Sequence, residues 1–206
     1  MIEPRDDHPH PRGGDPAWSE STYFNFHDPS SGLAGFSRIG FRPNEGTADG
    51  TLFLFLPGGG AVAVLEREPR KDLPEELRVG GVRHERVEEL KRWRLSTDAK
   101  GLGVAHAGDV EIRKGPRVGA VVEVEAQLTF EASMPPFGTS GRRVRSADAA
   151  ASAAAVAAGH FEQACRVTGE VWVGDATFIV DGMGLRDRSW GPRDWSAPWG
   201  WRCRWA

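Results

Sequence analysis

The sequence predicts an all-β chain, a sandwich or barrel of short antiparallel strands, on three observations. Apolar runs alternate with turn residues from residue 17 onward. The stretch Val121–Glu131 alternates strictly, with Val122, Val124, Ala126, Leu128 and Phe130 on one face and Glu123, Glu125, Gln127, Thr129 and Glu131 on the other, the pattern of a strand with one face on a core and one in water. The strongest local helix signal is one alanine-rich segment that breaks this pattern.

In chain order, the first strand is Tyr23–His27, ended by the loop composition Asp28-Pro29-Ser30-Ser31-Gly32. Leu33–Phe41 follows and stops at Arg42-Pro43-Asn44-Glu45-Gly46. Thr51–Leu56 and Ala61–Glu66 flank Pro57-Gly58-Gly59-Gly60, whose glycines supply the positive φ angles of a tight hairpin. Glu85–Leu95 fits either period and is read as strand. Val110–Arg113 is expected to pair with Val121–Glu131 across Lys114-Gly115-Pro116, and Val167–Val173 with Thr177–Val180 around Gly174-Asp175. Ala147–Ala158 holds nine alanines in twelve residues, with Ser146 or Asp148 as N-cap and Gly159 as stop, and reads as a short helix on the solvent side.

Composition narrows the function. Of 206 residues, 26 are basic and 29 acidic, a net charge of −3, which excludes a basic nucleic-acid surface as a whole-chain reading. At 39% hydrophobic residues the chain can fill a substantial core. Cys165 and Cys203 lack the spacing of a disulfide framework or a metal site, so a reducing cytoplasm is the expectation. Residues 1–16 are charged and proline-rich, and read as a disordered tail rather than a signal peptide. No stretch approaches the about 18 apolar residues of a membrane span. Five of the eight tryptophans fall after residue 189, and Trp199, Trp201, Cys203 and Trp205 alternate with small or charged residues as in a half-buried strand. A strand there predicts that the chain continues beyond residue 206, and that its exposed edge meets a missing partner domain or a second copy.

Nucleotide-binding, serine-hydrolase and zinc-protease signatures are absent. His8 and His10 sit in the tail and read as a chance His-x-His; His84 and His106 read as isolated structural residues. Gly182-Met183-Gly184 lacks the third glycine of a dinucleotide fingerprint and reads as strand-end flexibility. The densest mixture of charge, glycine and tryptophan runs from His160 to Trp195. There Asp187 lies between Arg186 and Arg188, with Arg193 near, and the group can form a buried ion-pair lattice that also buries Trp190. The alternatives are a structural corner or a ligand or catalytic site.

The run Gly182-Met183-Gly184-Leu185-Arg186-Asp187-Arg188-Ser189-Trp190-Gly191-Pro192-Arg193-Asp194-Trp195 resembles the Asp-His-x-Trp-Gly signature of the AttH-like family that includes carotenoid 1,2-hydratase (hydroxyneurosporene synthase). Trp18-x-Glu20-Ser21-x-Tyr23-Phe24-Asn25-Phe26, Arg38-Ile39-Gly40 and Arg42-Pro43-Asn44-Glu45-Gly46 resemble bacterial members of the same group. The resemblance spans residues 17–206. It implies two lipocalin-like β-barrels in tandem, with this chain carrying the first barrel over 17–180, and the junction motif and the opening strand of the second over 181–206.

For function, the resemblance implies hydration or cyclisation of a lipophilic isoprenoid- or polyketide-like molecule, with no cofactor and no metal. Asp187 matches the aspartate that protonates an alkene, and His160 the upstream histidine. Leu185 and Arg188 replace the flanking tyrosine and histidine, and Glu162 stands where a tryptophan is expected. Phe161, Trp190, Trp195 and Trp199, with Arg186 and Arg188, are the candidate ligand-binding residues. Arg186, Arg188 and Arg193 are expected to favour the ionised form of Asp187 and so lower its pKa. A carrier that binds an apolar molecule without catalysis, and a domain without ligand, are the alternatives. No nucleic-acid partner and no stable membrane insertion are expected.

Overall fold

Alternation of core and surface residues along most segments makes strands of most of the described residues. The computed structural model describes residues 2–107, 110–111, 115–116, 119–140 and 158–193. A short 3₁₀ turn, Pro4–Asp7, precedes β1 (Trp18–Asp28), β2 (Leu33–Arg42), β3 (Thr47–Phe55), β4 (Ala61–Pro69), β5 (Leu77–Val79), β6 (Val82–Glu88) and β7 (Arg92–Val104). Then come β8 (Val110–Glu111), β9 (Gly115–Pro116), β10 (Ala120–Ala132), β11 (Phe137–Thr139), β12 (Gly159–Val173) and β13 (Ala176–Pro192).

Pairing follows the order β10-β12-β13-β1-β2-β3-β4-β7, all antiparallel, and β7 pairs β10 again, so the sheet curves into a ring. β4 meets β7 through Ala61–Ala63, opposite Val104–Leu102. The earlier half of β7 instead takes the β5–β6 hairpin as its neighbour, with Val82 opposite Thr97. The turns obey their residues: Gly58 and Gly59 have φ of 88° and 94° in the β3–β4 connection.

The inner face is packed with Phe24, Ile39, Leu54, Trp93, Leu128, Phe130 and Val167, each at most 1% exposed. Phe24 meets Phe130 edge-on at 5.0 Å. The void among Phe24, Phe26, Leu52, Leu95, Leu128 and Phe130 is about 10 Å³, about the space of one water. Small-molecule sites need about 300–1,000 Å³. That part of the ring's interior is filled.

Several expectations are corrected. Glu85–Leu95 is two strands around a turn at Leu90, whose φ is 57°. Val110–Glu111 pairs with Gly115–Pro116, whereas β10 pairs with β7 and β12, because its long alternating face demands full-length neighbours. Gly182 and Gly184 lie inside β13 rather than at a strand end; a Cβ there would sit 2.3 Å from the His27 carbonyl oxygen and 2.1 Å from that of Asn25. β13 also runs unbroken through the boundary expected at residues 180/181. The alanine-rich helix expected at 147–158 falls, but for Ala158, outside the described residues.

The largest correction concerns residues 1–16. Instead of a disordered tail, residues 2–16 run over the ring, with Asp6 and Asp7 buried and Ile2 in a second apolar cluster with Trp18, Phe161 and Trp190. Composition misleads here because what docks the segment is charge. Arg186 donates to both oxygens of Asp7, at 2.7 and 3.3 Å, and its Nε donates to Gln163 at 2.8 Å. The Leu90 N–H and the Trp93 indole N–H add bonds to Asp7 at 2.8 and 3.3 Å. Arg188 donates to Glu20 at 2.5 Å, and Glu20 accepts the backbone N–H of His10 at 3.0 Å. The His10 ring stacks on Trp190 with centroids 3.7 Å apart. His8 lies 2.7 Å from Glu89 Oε1 and accepts from Arg86 at 3.0 Å, so His8 and His10 are docking residues.

Candidate functional site

The pleat of β13 sorts the dense motif onto two faces. Arg186, Arg188 and Trp190 point into the ring, opposite Gln163, Phe161 and Gly159 of β12, and are 2%, 1% and 5% exposed. Asp187 and Ser189 point outward, opposite Glu162 and His160. On their other side their partners are Tyr23 and Ser21 of β1. Candidate residues that are neighbours in sequence are thus separated by the sheet itself.

On the outer face, the Ser189 hydroxyl donates to Asp187 Oδ1 at 3.1 Å and lies 2.7 Å from His160 Nδ1. His160 Nδ1 is 3.9 Å from Asp187 Oδ2, and His160 Nε2 is 3.4 Å from Glu162 Oε1. The three side chains keep 34%, 35% and 24% exposure for His160, Glu162 and Asp187. Arg193 donates to Ser21 at 3.2 Å. Burial pushes the Asp187 carboxyl above the usual carboxylate range; His160, Arg193 and the Ser189 hydrogen bond oppose the shift, and Glu162 adds to it. The expected lowering by three arginines is reversed, because Arg186 and Arg188 are turned to the other face and spend their charge on Asp7 and Glu20.

The same outer face carries stacked aromatics. Tyr23, the cross-strand partner of Asp187, lies 5.8 Å from Phe36; Phe36 stacks on Phe53 at 5.4 Å, and Phe53 approaches Phe55 at 5.7 Å. Phe55 is 40% and Leu65 67% exposed.

The structure therefore brings Asp187 and His160 together and places Phe161, Trp190, Arg186 and Arg188 behind them, where they pack the docked N-terminal segment. Trp195 and Trp199 lie outside the described residues. Sequence reasoning missed Ser189, and took Glu162 only as a departure from a pattern. The signal was present, since His160 and Glu162 are two apart in a strand and so share a face. Among the described residues no helix is long and apolar enough to cross a membrane.

Comparison with known proteins agrees with this architecture. The chain is similar over 96% of its length to the crystal structure of a Nitrosomonas europaea protein provisionally described as an AttH, with a TM-score of 0.61 and 13% identity. It spans 57% of that protein's chain. At this identity the likeness shows an AttH-like fold. A search of curated proteins finds no match. Residues 3–205 match the family model described as domain of unknown function DUF7064, and the chain belongs to that family.

Proposed function

We propose that the protein binds a lipophilic small molecule, isoprenoid- or polyketide-like in character, against the outer face of the ring, with Asp187 and His160 anchoring its polar end. One observation carries this reading: the half-buried Asp187–Ser189–His160 cluster adjoins the aromatic row Tyr23, Phe36, Phe53 and Phe55. Apolar walls with a few convergent polar groups are the usual make-up of such sites. The packed interior supports the outer face as the place. A ligand held there by rings and oriented by two polar groups is set up for cyclisation, which asks for a folded, positioned substrate.

The test is native mass spectrometry of protein purified without detergent, beside Asp187→Asn and Phe53→Ser. An apolar species retained by the native chain and lost from Phe53→Ser is the expected result. Retention in Asp187→Asn with loss of turnover would add catalysis; retention without turnover in either form would make the protein a carrier. A chain that binds no apolar compound, offered a panel of polyenes and polycyclic aromatics, would end the reading.

A further inference from the structure

We propose that His160, Glu162 and Asp187 form a binding site for a divalent cation of the zinc type. One ligand atom from each lies within 4.8 Å of the others. His160 Nε2 and Glu162 Oε1 are 3.4 Å apart. Two ligands about 2.0–2.2 Å from a tetrahedral zinc stand about 3.4 Å from each other.

The hydrogen bonds around the ring point the same way. Ser189 spends its proton on Asp187 Oδ1, so its oxygen receives Nδ1–H from His160 at 2.7 Å. Nε2, the ring nitrogen turned away from Ser189, faces Glu162 Oε1 and is the one placed to ligate. A ligating histidine whose other ring nitrogen is held by a neighbouring group is the usual arrangement at metal sites. Glu162 and Asp187 are direct cross-strand partners, and like charges so placed repel. One histidine and two carboxylates suit zinc or manganese more than calcium.

Three protein ligands leave a coordination position open. In the small-molecule reading above, on which this last step rests, that position takes an oxygen of the ligand. The ligand class is then an apolar skeleton ending in a carboxylate, carbonyl or hydroxyl.

Isothermal titration of Zn²⁺ into chelator-treated, tag-free full chain tests the site. Binding of one ion per chain is expected, weakened at least about tenfold in His160→Ala and Glu162→Gln, and about tenfold in Ser189→Ala through loss of the ring's support. His8→Ala, a histidine of the docked segment, should bind as the native chain does. Absence of binding, or binding undiminished in both Glu162→Gln and His160→Ala, overturns the proposal; if His160→Ala fails to fold, Glu162→Gln decides. Retention of an apolar molecule by metal-free protein would keep the small-molecule reading standing when zinc fails.

Discussion

The two faces of β13 hold the same kinds of residue in opposite states. Inward, Arg186 and Arg188 are stripped of water and each is locked to a carboxylate, Asp7 at 2.7 Å and Glu20 at 2.5 Å. Outward, Asp187 keeps part of its hydration and meets a histidine and a second carboxylate. The Arg186–Asp7 pair ties a distant chain segment to the sheet and the Arg188–Glu20 pair ties β13 to β1, so their charges belong to the fold. Among the described residues the outer charges lie on β12 and β13 and face β1, strands already paired with one another. A charge whose removal the fold tolerates is the one available for binding.

The largest test of this contrast is Asp7→Ala. It leaves the Arg186 guanidinium buried without its carboxylate, and breaking such a pair costs about 3–5 kcal/mol. The urea midpoint should fall accordingly. Replacing both partners, Asp7→Leu with Arg186→Met, removes the orphaned charge and should recover most of the loss. A fall of less than about 1 kcal/mol for Asp7→Ala would detach residues 2–16 from the fold's energetics and break the inner half of the comparison.

His84 offers an intermediate effect from the same interior. It is 2% exposed, held between the hydroxyls of Thr22 and Ser37 at 2.8 Å each, and burial lowers its pKa from 6.5 to about 3. The folded protein keeps His84 neutral while the unfolded chain takes up a proton below pH 6.5. This contribution is therefore fully present above pH 6.5 and is lost steadily as pH falls toward 3. The loss is about 1.4 kcal/mol per pH unit, or about 2 kcal/mol at pH 5. Asp28, held below the usual carboxylate range by the Ser30 hydroxyl and further hydrogen bonds, adds its own loss only below its ordinary value of 3.8. Urea melts between pH 7 and pH 4.5 of the native chain and of His84→Gln give the histidine's part as their difference, and a His84→Gln chain whose stability kept the native slope would refute the assignment.

How much of this was readable beforehand differs between the two faces. Strand positions follow period-2 alternation, and the hairpins at Gly58-Gly59 and Gly174 announce themselves through residues that tolerate positive φ. Alternation also assigns Asp187 and Arg186 to opposite faces, yet it cannot say which face is core when both are polar. The inward arginines are legible only together with Asp7, whose separation from Arg186 is 179 residues. A proline-rich acidic segment has no apolar pattern to announce that it docks, since what docks it is one carboxylate, Asp7, paired with a buried guanidinium, and His10 held by Glu20 and Trp190. Ring closure is hidden for the same reason, as β7 and β10 pair in a register that depends on the intervening strands.

The smallest expected effect is the most discriminating. Asp187→Asn keeps the shape of the side chain and its ability to accept from Ser189, and it removes one of two carboxylates that face each other across β12 and β13. Loss of that repulsion offsets loss of the attraction to His160 and Arg193. The stability change should stay within about 0.5 kcal/mol of zero, as for surface positions generally. The measurement is the urea midpoint at pH 7, read beside that of Asp7→Ala. Near-equality of the two midpoints would mean that the outer carboxylate holds the fold as firmly as the inner one, and the division of β13 into a structural face and a binding face would fail. A wide gap between them leaves Asp187, Ser189, His160 and Glu162 as a polar cluster that the fold positions without depending on it.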